Sequence, residues 1–334
     1  MKNSTEIRDL ENLTELAQSI QSTPVEIKKW AEIEVSKNTK NETLPLVSIS
    51  FGSQDPKAPC LILTAGVHGL ERVGSHVCIQ HLLPFIEQLK WNSHLQDLLK
   101  KVRLTAIPIV NPGGMYLGFR SNPNGVDIMR NAAIEGKEKG LPLVSGHRKG
   151  AWLPWYRGAE NAPLETETDT LLKIVQKNVS ESAFAISLDI HSGFGMRDRI
   201  WYPWSHSKEP IPDLSTIDHI EKIFKKTHPY HFYQIEPQTS SYVIHGDPWD
   251  WLYDWHLKIR QKNQIYIPLA LEMGSWTWLR KNPGQFFRRD GIYNPIIPHR
   301  YNRIMRRHRP LLDFLLQIVA HHSQWNHHHK ESLK

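Results

Sequence analysis

CLILTAG, residues 60–66, is a short uninterrupted apolar run closed by a glycine, and HGLE follows it at 68–71. A run of that length fits a strand buried on both faces of a sheet. Outward from it, PLVSISFG (45–52) alternates β-branched and polar residues as a first strand, and HVCIQHLLPFIEQL (76–89) carries apolar residues at helical spacing. VRLTAIPIVNP (102–112) returns to a strand stopped by Asn-Pro. TETDTLLKIVQKNV (166–179) reads as a helix, and AFAISLDI (183–190) and QIYIPLALEM (264–273) repeat the strand signature. Strand and helix alternate. The pattern predicts an α/β fold: a single domain with a central mixed, mostly parallel sheet flanked by helices.

Residues 1–44 read as an amphipathic helical leader, 45–320 as the main domain, and 321–334 as a polar tail containing His327, His328 and His329. LLDFLLQIVAHHSQW (311–325) reads as a closing helix, and the histidines after it as a solvated terminus. Residues 132–163, 192–215 and 228–250 mix Gly, Pro and aromatics without periodicity. Loops of this length usually carry a site. There is no internal repeat and no low-complexity linker.

The 334 residues are 40% apolar and 22% charged, with 12 Trp, and no apolar run approaches the roughly 18 residues a bilayer span needs. Membrane-spanning and disordered classes are therefore excluded as expectations. Cys60 and Cys78 cannot build a disulfide framework and read as core. The segment MKNSTEIRDLENLTELAQSI lacks the apolar stretch of a secretion signal, so a cytoplasmic location is expected. Forty-one Lys and Arg against 34 Asp and Glu give +7, which mildly favours anionic partners. The surplus gathers late, in Arg280, Lys281, Arg288, Arg289, Arg300, Arg303, Arg306, Arg307 and Arg309. A solvated helix face accounts for most of it, and charge alone is a weak argument for nucleic acid.

Three polar groups stand at the ends of three predicted strands. His68 and Glu71 follow the first run, His191 sits in DIHSGFG, and Glu272 sits in LALEMGS. An HxxE by itself also describes a hydrogen-bonded histidine near a surface acid, and Glu272 alone could pair with an arginine. Together they point to one site, because ligands of open α/β sheets bind outside the carboxyl ends of the strands. Two imidazoles and one carboxylate suit zinc and leave a fourth position open, the catalytic rather than the structural pattern. Glu272 is then free to act as a base.

With these residues the sequence resembles the zinc metallocarboxypeptidase family, the carboxypeptidase A-like or M14 peptidases, over most of residues 45–280. The family's HxxE followed far downstream by His matches His68, Glu71 and His191, and its essential late Glu matches Glu272. NPGGMYLGFRSNPNGVDIMRN (111–131) is similar to the family's NPDG…R…NGVDLNRN loop. The resemblance implies that Asp127 supports a metal-binding histidine, that Arg120 polarises the scissile carbonyl, and that Arg130 receives a substrate carboxylate. One position departs: Met129 stands where the family has Asn. YVIHGDPWDWLYD (242–254) places Tyr242 on the family's substrate-capping tyrosine and Trp249 where side-chain preference is set. YRGAENAPLETET (156–168) and the compact GFRSNPNGVD spacing resemble bacterial cytoplasmic members that cleave murein peptides. DIHSGFG and LEMGS are also similar to the succinylglutamate desuccinylase and aspartoacylase branch.

The expectation is a zinc-dependent hydrolase, one Zn²⁺ per chain, cleaving an amide bond in a small acidic peptide. Deacylation of N-acyl amino acids is the alternative within the same chemistry. A non-catalytic protein that captures an anion or nucleic acid is the alternative outside it.

Overall fold

Among the described residues eight strands form one sheet: β1 (Val25–Lys37), β2 (Lys40–Gly52), β3 (Cys60–Ala65), β4 (Arg103–Ile107), β5 (Phe184–Ser192), β6 (Arg199–Tyr202), β7 (Gln234–Pro237) and β8 (Ile265–Met273). The helices are α1 (Thr5–Gln18), α2 (Arg72–Leu89), α3 (Ser93–Leu99), α4 (Pro112–Leu117), α5 (Thr166–Val179), α6 (Leu214–Thr227), α7 (Pro248–Ile259), α8 (Trp276–Lys281), α9 (Pro298–Ala320) and α10 (His322–Trp325). This computed structural model describes residues 5–37, 40–288 and 291–326.

The sheet order is β1-β2-β4-β3-β5-β8-β6-β7. The central four, β4, β3, β5 and β8, are mutually parallel, and β2 and β6 flank them antiparallel. This is the mixed, mostly parallel α/β sheet that the alternation predicts. Every residue of β3 and β5 is buried, because helices cover both faces. Residues of α1, α2, α6 and α9 join one core cluster, residues of α5 the other, and α7 contributes to both.

The helical leader holds for α1 alone. Residues 25–37 form β1, paired antiparallel with β2, which itself begins at Lys40 rather than Pro45. The reason is legible afterwards: Val25, Ile27, Ala31, Ile33 and Val35 keep a period of two, which overrides the helix-forming Glu and Lys between them. The closing helix starts earlier than expected, at Pro298, since only Ile304 and His308 are buried in the Arg-rich turns before Leu311. His327, His328 and His329 lie outside the described residues. Among the described residues no helix is long and apolar enough to cross a membrane.

Three buried histidines, His81, His256 and His308, are held at about 4 and favour a fold that weakens in acid. Burial, then the charge of Arg309, holds His81 down at about 4; burial, then Arg260, does the same to His256, also at about 4. His256 lies against Tyr266, and neither of its ring nitrogens has a hydrogen-bond partner among the described residues. An unfolded histidine titrates near 6.5, so between about pH 6.5 and 4 the unfolded chain takes up protons that the folded chain refuses. The stability from keeping each ring neutral is whole above about pH 6.5 and falls, by on the order of 3 kcal/mol per residue, as the pH drops to about 4. A His256→Phe variant is expected to show a shallower decline of Tm over that interval. Parallel Tm curves for the two proteins would count against this account.

Candidate active site

At the end of β3 the chain enters Gly66, whose φ of +65° suits glycine and where a Cβ would lie 2.6 Å from Ser75 Oγ. The turn beyond carries His68 and reaches Glu71, the residue that precedes α2. A side chain at Gly69 would collide with the Gly114 backbone, so the turn can sit flat on α4. Asn111 clamps it there: Nδ2 donates to the Val67 carbonyl at 3.2 Å while Oδ1 accepts from Gly114 N at 2.8 Å. From the other side, Asn294 Nδ2 donates to the Leu70 carbonyl at 2.8 Å and Oδ1 accepts from Val73 N at 2.9 Å. Main-chain tethers thus fix the turn that carries His68 and Glu71.

The other two groups come from the sheet itself. β5 and β8 run parallel in a register that sets His191 directly beside Glu272. Both stand at the carboxyl ends of their strands, next to the turn after β3. There the ligating atoms of His68, Glu71 and His191 lie within 4.8 Å of one another, and all three residues are buried.

The electrostatics are asymmetric. Burial, then the charge of Arg120, keeps the His68 imidazole well below its usual range. Its Nε2 lies 2.7 Å from Arg120 Nη2, and its Nδ1 is buried with no hydrogen-bond partner among the described residues. Burial opposes protonation of His191 too, but the Asp189 and Glu71 carboxylates override it and hold that imidazole well above its usual range. His191 Nε2 lies 2.6 Å from Asp189 Oδ2, and Nδ1 lies 3.1 Å from Glu71 Oε2. Burial and the charge of Glu71 push Glu272 up to about 8, and its Oε2 has no partner among the described residues. Two buried imidazoles and a carboxylate with an orphaned ring nitrogen are a donor set that fits a zinc ion, which would compensate the carboxylate charge now crowded there.

The remaining expected residues except Asp127 line the same cleft of about 280 Å³, whose walls include His68, Glu71, Arg120, Arg130, His191, Tyr242, Trp249 and Glu272. Arg120 Nε pairs with Asp127 Oδ2 at 2.9 Å, and Nη1 lies 3.5 Å from Glu71. Asp127 Oδ1 stands 3.7 Å from His68 Nδ1, so in this arrangement it holds Arg120 more closely than the histidine it was expected to support. Arg130 is buried and donates from Nε and Nη2 to the Val144 carbonyl and from Nη1 to the Met129 carbonyl. Tyr242 is half-buried with its ring near Phe194 and Trp201. Trp249 is buried in the wall, and its Nε1 donates to Asp189 Oδ2 at 2.8 Å.

The sequence profile described as zinc carboxypeptidase, peptidase M14, matches residues 18–273. The chain belongs to the zinc carboxypeptidase family. Carboxypeptidase D of Anas platyrhynchos is 22% identical over 65% of this chain and 13% of its own length. Carboxypeptidase A4 of Mus musculus is 24% identical over 65% of this chain and 53% of its own length. The chain therefore spans about half or less of the curated relatives it matches. Bovine thrombin-activatable fibrinolysis inhibitor, solved in complex with tick carboxypeptidase inhibitor, superposes with a TM-score of 0.63 at 17% identity, covering 95% of this chain and 97% of that one. That likeness establishes the carboxypeptidase fold. Nothing in these comparisons supports the N-acyl amino acid alternative.

Several residues of the site were not singled out in the sequence. Asp189 orients His191 and is itself held by Trp249. Its signal was available, since two residues on one strand share a face at a separation of two. Tyr293 lines the cleft from a segment beyond the family match and has no sequence signature. Asp247 and Asp250 also line it. Asp250 Oδ2 gathers donors from Ser205 N, Ser205 Oγ, His206 N and His206 Nδ1 within 2.8 Å. Burial, then the charge of Asp250, pushes Asp247 up to about 7.

Proposed function

We propose that this family member is a peptidase with one zinc ion per chain, held by His68, Glu71 and His191, that hydrolyses an amide bond in a short peptide bearing a free carboxylate. The observation that carries this reading is the register pairing of His191 with Glu272, which puts an unpartnered carboxylate beside the metal-binding group. A zinc ion there supplies Lewis acidity, lowering the pKa of water toward about 7 and polarising a carbonyl. Glu272 takes the proton of the attacking water and delivers it to the leaving amine, for which its position next to the ligands and its freedom from other bonds suit it. Arg120 stands at the mouth of the cluster and offers its guanidinium to the oxyanion as charge develops.

Arg130 has five N–H groups, and the three bonds to the Val144 and Met129 carbonyls leave one on each terminal nitrogen. Those two form a fork for a substrate carboxylate. Met129 contributes no donor beside it, so Arg130 carries that recognition without a neighbouring amide. The acidity of the substrate rests on Arg120 and Arg130 rather than on the net charge of +7, because much of that surplus lies away from the site.

A panel of short peptides, N-acyl amino acids and C-terminally amidated peptides presented to the zinc-loaded protein tests this. Peptides with a free carboxylate are expected to exceed their amidated forms in kcat/KM by about a hundredfold, the worth of a buried bidentate ion pair. Equal turnover of both forms would remove Arg130 from carboxylate recognition.

A further inference from the structure

A second cleft, of about 710 Å³, shares no lining residue with the first. Its walls come from α8, from the first turns of α9, and from the segments just after His191 and just after Glu272. Five permanent cations face it: Arg197, Lys281, Arg300, Arg303 and Arg307. Among the described residues Asp198 is the one carboxylate in its lining. Asp198 Oδ2 pairs with Arg307 Nε at 2.6 Å, while Oδ1 accepts from Gly274 N at 2.9 Å. Arg300 Nη1 donates to the Trp278 carbonyl at 3.3 Å. The side chains of Arg197, Lys281 and Arg303 make no ion pair or hydrogen bond among the described residues. Four cationic charges are left uncompensated around one cavity.

The helix that forms one wall adds an independent argument. The 23-residue α9 opens on Pro298 with no acidic residue in its first turn and no side-chain cap from Ile297. Instead it places His299, Arg300 and Arg303 at the positive end of its dipole, where carboxylates are normally favoured and cations repelled. Such an arrangement is costly for an empty cleft and favourable for one that holds an anion. Guanidinium groups and an ammonium gathered around one space match the oxygens of phosphate groups. Phe232 and Trp278 supply apolar surface beside them.

We propose that this cleft is a binding site for a compact oligophosphate-class anion, separate from the metal centre. It takes in four of the nine late cations, Lys281, Arg300, Arg303 and Arg307, and it does not depend on the peptidase reading. Its lining includes Arg197 and Asp198 on the segment that follows His191, and Met273 and Gly274 immediately after Glu272.

The test is titration calorimetry of the zinc-loaded protein with inorganic pyrophosphate, in parallel with Arg303→Ala/Lys281→Ala and with His68→Ala. Both cations in the double variant are exposed, so its fold and its peptide hydrolysis are expected to be unchanged. Pyrophosphate affinity is expected to fall by about tenfold for each cation removed, and to weaken with added salt. In His68→Ala binding should persist, since the anion does not sit on the metal. No binding by the native protein, equal affinity in the double variant, or loss of binding in His68→Ala would each overturn the proposal. So would binding of a single-stranded oligonucleotide that pyrophosphate cannot displace, which would make the surface one for nucleic acid.

Discussion

Glu272→Gln is expected to keep its zinc and lose hydrolysis, with kcat falling by about 10² to 10⁴, the usual contribution of a positioned general acid–base group. The substitution preserves shape and removes the carboxylate charge together with the ability to carry a proton. Glu272 Oε2 makes no hydrogen bond among the described residues, so no structural partner is lost with the charge. The three proposed ligands are other residues, on the turn after β3 and at the end of β5. Zinc content measured beside steady-state turnover separates chemistry from metal loss. A Gln variant as active as the native protein would end the assignment of the reaction to this site.

His191→Ala is expected to lose both metal and activity, and to lose stability as well. With its imidazole removed, Asp189 keeps only Thr64 and Trp249 as the hydrogen-bond donors described for it, and Glu71 Oε2 keeps Ser192 N. Two buried carboxylates then face the gap with no cation between them. Breaking a buried pair in this way typically costs about 3–5 kcal/mol. The expected readings are zinc near zero after dialysis and a clearly lower Tm. Retention of a full equivalent of zinc would mean that the ion is held elsewhere, and the three-residue centre would have to be abandoned.

The sheet was legible because its central strands leave a plain mark. CLILTAG and AFAISLDI are buried on both faces, and a run with no polar face fits little besides a strand covered on both sides. The candidate site was legible for a related reason, since His191 and Glu272 are polar residues ending apolar runs. β1 was missed because its alternating Val and Ile are interleaved with Glu and Lys, and only half of its length is covered. α7 was partly hidden in a segment read as loop, although Asp247 caps it with bonds from Trp249 N and Asp250 N and Pro248 starts it. Tyr293 and Asn294 could not have been found, because nothing local shows that residues 291–294 return to brace the turn at Leu70. What sequence conceals here is long-range contact by ordinary-looking loop residues.

The adjacency of His191 and Glu272 has an evolutionary corollary. Neighbouring strands are held about 4.8 Å apart by the backbone ladder, whatever side chains they carry. The main chain therefore acts as a ruler that spaces the proposed ligand and the proposed proton carrier. The 70-odd residues joining β5 to β8 carry two anchors, β6 on β8 and Trp249 on Asp189, and outside these they can change in length and composition without disturbing that interval. New specificities could be sampled in that connection while the reacting pair stays in tune.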